Sequence, residues 1–165
     1  MKIGKIATII IISLTACSIC YSLDKVVTIP AEDPTGITLE LPAGTYVAQI
    51  ESGGVALHFP IHPNYSWCYA LLIGTGVEGG QDEANIGSLY VDPDPKVFTQ
   101  TEAEKAALKA LEEGKKGTYL AFELQENDTV RFWVSDYDYS DNSGSEKVRI
   151  YSVEKPEEKE KKEGE

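Results

Sequence analysis

The sequence predicts an all-β protein, a β-sandwich interrupted by one short helix. Three observations lead there. Roughly seven short segments alternate apolar and polar residues and are separated by Gly, Pro, Asn and Asp, the pattern of short strands in a two-layer sheet fold. Only one stretch keeps helical spacing and helix-forming residues. The chain has 165 residues, 42% of them hydrophobic, so one domain with a proper core accounts for the length once both charged ends are set aside.

In chain order, the domain begins near Val26. Ile37, Leu39 and Leu41 alternate with Thr38 and Glu40, a half-buried strand. Pro42-Ala43-Gly44 punctuates it. Tyr46, Ala48 and Ile50 then alternate with Thr45, Val47, Gln49 and Glu51, and Gly53-Gly54 is expected to end that strand. Residues 67–74 are apolar on both faces, which places them in a central strand covered on two sides. Residues 88–91 read as a short strand. Residues 117–124 and 128–135 form two more, and 146–153 the last. In 128–135, Val130, Phe132 and Val134 share one face and Arg131 and Trp133 the other.

The helical insertion is expected near 101–114, on the outside of the sandwich. Thr101 with Glu104 has the capping-box spacing, and Gly114 stands where a helix C-terminus wants a left-handed residue. Its apolar face, Ala103, Ala107, Leu108, Ala110 and Leu111, is narrow.

The two ends read differently. Residues 1–22 have Lys2 and Lys5, an apolar run from Ile6 to Leu14 and small residues before a cysteine, the layout of a secretory signal. Leu14-Thr15-Ala16-Cys17 resembles the bacterial lipobox. That resemblance implies cleavage before Cys17 and a lipid anchor on its thiol, hence a place at the cell envelope or outside the cell. Ordinary cleavage near Ser22, or an uncleaved anchor, are the alternatives. The 154–165 tail contains six Glu and four Lys and is expected to stay disordered. Residues 23–153 therefore carry the full net charge of −12. A domain so acidic repels phosphate backbones, which excludes nucleic acid as a partner, and attracts divalent cations.

Residues 135–148 concentrate that acidity. Asp136, Asp138, Asp141 and Asn142 fall within seven residues, between two strands, followed by Ser143 and Gly144. Calcium takes six to eight oxygens from carboxylates, amides and backbone carbonyls, and this loop offers such a set. A solvated turn would use the same residue types, so spacing alone leaves both readings open.

Residues 129–150 resemble the closing segment of the calcium-dependent, galactose-binding lectins of the PA-I type and of related galactose-binding-like modules in bacterial surface proteins. Weaker likeness extends over 42–54, 68–74 and 117–134. The resemblance implies a galactose-binding-like, jelly-roll-like sandwich and a calcium cofactor. Asp136 matches the family's strand-end ligand, Asp138 its backbone-carbonyl position, and Asp141 and Asn142 its paired side-chain ligands. It also implies that two adjacent sugar hydroxyls complete the metal shell, with His62-Pro63 hydrogen-bonding nearby and Tyr65 or Trp67 offering a ring face. The loop here is about two residues shorter than the family's, and the helical insertion is foreign to the small lectins.

Other chemistry finds little footing. His58 and His62 are four apart, but Pro60 and Pro63 exclude the helix that would align them on zinc. No Gly-x-Ser-x-Gly is present. Cys68, inside an apolar run, reads as a buried thiol, although a disulfide to Cys20 is open. The reading that results is a non-catalytic, calcium-dependent carbohydrate-binding module, with galactosides as candidate ligands. The alternative is a structural or protein-interaction lipoprotein that engages another envelope or extracellular protein.

Overall fold

A computed structural model of the chain describes residues 23–57, 67–76, 84–93, 96–134, 136 and 138–153. Strands β1 (Asp24–Pro30), β2 (Ile37–Leu41), β3 (Gly44–Ala56), β4 (Trp67–Thr75) and β5 (Ala84–Val91) come first. Helix α1 (Gln100–Glu112) follows, then β6 (Tyr119–Leu124), β7 (Asp128–Trp133) and β8 (Ser143–Val153). The pairings are antiparallel and form two layers. One is ordered β1-β8-β3-β6 and the other β2-β7-β4-β5. The fold is therefore the all-β sandwich with a single short helix that the alternation predicts.

The layers meet where β3 touches β4 at only two pairs, Val55↔Cys68 and Ala56↔Trp67. Beyond Cys68, β4 leaves β3 and joins β7 and β5. This fork is where backbone groups risk losing their partners. Two side chains bridge it. Tyr69 donates its hydroxyl to the Lys147 carbonyl at 2.7 Å, and Glu146 accepts from the Ala70 amide.

Between the layers lies the core. Ile29, Ile50, Val148 and Ile150 from one sheet face Tyr69, Leu71, Ile73, Leu89, Val130 and Phe132 from the other, all buried. Each such side chain contributes roughly 1.5–3 kcal/mol. Tyr46 stacks on Phe122 with ring centroids 5.6 Å apart, sealing the β3–β6 end. On β7, Arg131 is buried as well. Its guanidinium donates to the Thr35 and Pro34 carbonyls at 2.8 and 2.6 Å and lies 4.5 Å over the Trp133 ring, which pins the turn after β1.

Several expected boundaries move. Gly53-Gly54 does not end β3, which runs on to Ala56. The register shifts between Ile50 and Ser52, and Gly53 adopts φ 95° where a Cβ would lie 2.3 Å from the Ser145 carbonyl oxygen. The bulge falls at Glu51, and the two glycines after it stay paired with β8 as β3 runs on toward the other layer. β5 begins at Ala84 rather than 88, and β8 at Ser143 rather than 146.

Helix α1 also starts earlier. The sequence holds two overlapping Thr-x-x-Glu patterns, and the structure uses the first. Thr99 Oγ1 accepts from the Glu102 amide at 3.3 Å, while Glu102 Oε2 accepts from the Thr99 hydroxyl and the Phe98 amide. That phase buries Ala103, Ala107 and Ala110. Ala103 packs so closely that its Cβ stands 3.0 Å from where Gly54 would carry one, and the Gln100 amide donates to the Gly54 and Ser145 carbonyls. The helix thus covers the β3–β4 junction from outside. Cys68 beneath it is a buried free thiol, with burial first and the Glu146 charge second pushing its pKa up to about 12. Among the described residues no helix is long and apolar enough to cross a membrane.

Candidate cation site at the β7–β8 loop

The loop between β7 and β8 is braced by its own side chains. Tyr139 donates its hydroxyl to the Val134 carbonyl at 2.8 Å and accepts from the Asp136 amide at 3.3 Å. Asp138 caps a short 3-10 turn, Tyr139–Asp141. Its Oδ1 accepts from the Ser140 amide at 3.0 Å and the Ser140 hydroxyl at 2.6 Å. Asp138 is exposed, and this carboxylate oxygen is turned to its own loop.

Asn142 fixes the far end. It is only 4% exposed. Its Nδ2 donates to the Ala31 carbonyl at 3.2 Å, and the Ala31 amide donates to the Gly144 carbonyl at 3.1 Å. A carbonyl only accepts, so the amide NH2 must face Ala31, and Oδ1 points the other way. There it is buried without a hydrogen-bond donor. The neighbouring Asp141 Oδ1 is in the same condition, and Asp136 Oδ2 is buried as well. A buried acceptor left unsatisfied costs roughly 1–3 kcal/mol, more when charged. The Oδ1 atoms of Asp141 and Asn142, which find no donor among the described residues, suit a hard cation, which satisfies several oxygens at once.

The structure does not gather every predicted ligand by its side chain. Among the described residues, no three His, Cys, Asp or Glu side chains converge on a metal-sized point. What Asp141 and Asn142 share is a buried side-chain oxygen without a hydrogen-bond donor, one on a carboxylate and one on an amide.

Trp67 lies beside this loop. Ala56 pairs with Trp67 on one side and Ser143 on the other, so the three sit in one row across the sheet. The half-buried Trp67 ring rests against Gly144, where a Cβ would fall 2.7 Å from Cζ3 of the indole and 2.5 Å from the Gly54 carbonyl oxygen. With φ 94°, Gly144 also has a backbone that other residues avoid. His62 and Tyr65 lie outside the described residues, as do His58 and Cys17.

Sequence reasoning missed three contributors. Ala31 acts through its backbone, which carries no side-chain signal. Tyr139 is one of nine tyrosines and its bracing depends on the loop's path. Glu146 was detectable, because it stands two residues before Val148 and four before Ile150, on the core face of β8.

No protein-family model and no curated protein matches the chain. Among solved structures it is similar to one described as "EclA N-terminal domain; PllA-like lectin", with a TM-score of 0.40 and 12% identity over 78% of this chain and 95% of that one.

Proposed function

We propose that the protein is a non-catalytic, calcium-dependent carbohydrate-binding module, anchored at the cell envelope through lipid on Cys17. The observation that carries this reading is the buried Asn142 Oδ1 without a donor, beside the equally unsatisfied Asp141 Oδ1. Asp141 and Asn142 would hold calcium by side-chain oxygens, Asp136 by its carboxylate and Asp138 by its carbonyl. The bound ion would neutralise the crowded acids and present open coordination positions to two adjacent sugar hydroxyls. Trp67, buttressed on Gly144, would supply an apolar ring face to the sugar. The resemblance to galactose-binding lectins makes galactosides the first ligands to try.

A second reading keeps the scaffold and drops the sugar: a structural or protein-interaction lipoprotein. It is favoured by the absence, among the described residues, of three converging acidic side chains, and by the internal capping role of Asp138.

Thermal unfolding separates the two. With calcium a hundredfold above its dissociation constant, stability should rise by about 2.7 kcal/mol over the EDTA-treated protein. Asp141→Ala should abolish that rise. A further rise with a galactoside supports the carbohydrate module. Stabilisation by calcium alone, across a panel of sugars, supports the interaction protein, and no response to calcium removes the cation site.

A further inference from the structure

Glu146 is the one side chain whose chemistry the loop does not explain. It is 0% exposed. Its Oε1 accepts from the Ala70 amide at 2.5 Å, while Oε2 is buried without a hydrogen-bond partner. Its backbone pairs with Ile29 on β1 and Gly53 on β3, and its side chain crosses to β4. It therefore closes the fork where β4 leaves β3 after only two pairs.

Among the described residues no cation compensates this carboxyl. From β4 the Cys68 thiol and the Tyr69 phenol face it, and both are disfavoured as anions first by burial and then by Glu146 itself. Glu51 of β3 adds a further negative charge near Tyr69. Asp92 and its ion-pair partner Lys96 act on Cys68. From β1 and β3 the residues directly opposite, Ile29 and Gly53, carry no charge. The N-terminal turn of α1 presents the neutral amide of Gln100. An ionised carboxylate sealed in this setting is costly, and the cheapest remedy is to let water reach it.

We propose that Glu146 is a proton-operated latch between the two sheets: the neutral acid holds the fork shut, and loss of its proton lets β4 part from β8 at Ala70 while the remaining sandwich stays folded. This goes beyond the carbohydrate reading and stands whether or not the loop binds calcium. Opening at Ala70 would also loosen the seat of Trp67 on Gly144, since Trp67 and Ala70 both lie at the start of β4.

Burial pushes the Glu146 carboxyl up to about 8 from an ordinary 4.5, with the Ala70 amide pulling in the opposite direction. Opening returns it to the ordinary value. Between those limits the open population must rise about tenfold per pH unit. Amide exchange measures this directly. In the whole protein, exchange at Ala70 should quicken about a hundredfold per pH unit between pH 5 and 8, tenfold from base catalysis and tenfold from opening. It should also run faster than exchange at Ile50 and Val148 in the β3–β8 ladder. Glu146→Gln keeps an acceptor for the Ala70 amide and removes the proton, so there the dependence should fall to about tenfold per unit. Exchange at Ala70 that matches the β3–β8 ladder at every pH would overturn the latch, and needs no variant. So would a Gln variant, folded by circular dichroism, with the steep dependence of the parent.

Discussion

The β7–β8 loop and the β3–β4 fork lie four residues apart along one strand, and both bury oxygens for which the protein provides no donor. At the loop they are the Oδ1 atoms of Asp141, which is half-buried, and of Asn142, which is buried. At the fork there is one carboxyl, sealed on every side. The difference decides the remedy. A cation that needs six to eight oxygens and keeps some water suits the first. A single enclosed carboxyl has no room for such a shell and can be neutralised only by a proton.

The predictions test that division, and the largest concerns the fork. The folded protein holds on Glu146 a proton that the unfolded chain releases near 4.5, so its stabilising effect is complete below that value and is lost as pH rises through about 8. Urea unfolding should show a loss on the order of 4 kcal/mol between pH 5 and 8 that Glu146→Gln suppresses. A flat profile in the parent would show the carboxyl to be solvated after all.

Gly144 joins the two regions. Any side chain there meets the Gly54 carbonyl and the Trp67 indole and must adopt φ near 94°. Gly144→Ala should cost about 3 kcal/mol and blunt both calcium and pH responses, measured by denaturant titration at each condition. A variant that loses only one response would show the regions to be independent.

Smaller changes sharpen the loop. Tyr139→Phe removes the hydroxyl that holds Val134 and Asp136, and should cost about 1 kcal/mol with weaker calcium affinity. Asp141→Asn should act with opposite signs in two buffers. Without calcium it relieves repulsion and stabilises by about 0.5 kcal/mol; with calcium it destabilises relative to the parent. Equal effects in both buffers would mean that no ion binds there.

Much of the fold is legible in the sequence because period-two alternation survives in 37–41, 45–50 and 128–134, with one face buried in each, although in 128–134 Arg131 on the other face is buried too. Where alternation fails, so does the reading. Gly53 looks like a stop and is a paired strand residue just past a bulge, because its φ and its close approach to Ser145 are tertiary facts. The Thr101-x-x-Glu104 pattern places the helix start too late, because the same spacing recurs at Thr99 and Glu102 and the structure caps the helix there, while the expected apolar face of Ala103, Ala107 and Ala110 is the one buried. At the loop, the acidic cluster is visible in composition. Which oxygens turn inward is not, since Asp138 spends its carboxylate on Ser140 while Asn142 is oriented by a backbone carbonyl more than a hundred residues away in sequence. Glu146 is a different case, missed although its place on the core face with Val148 and Ile150 was there to be seen in the strand pattern.

Terbium, which takes calcium sites and luminesces when an indole or phenol nearby absorbs, gives the most direct measurement of the central claim. Titrated into the protein, it should show sensitised emission from Trp67 or Tyr139 that calcium displaces and that Asp141→Ala abolishes. Emission that is absent, or that persists unchanged in Asp141→Ala, would contradict a cation held at Asp141 and Asn142.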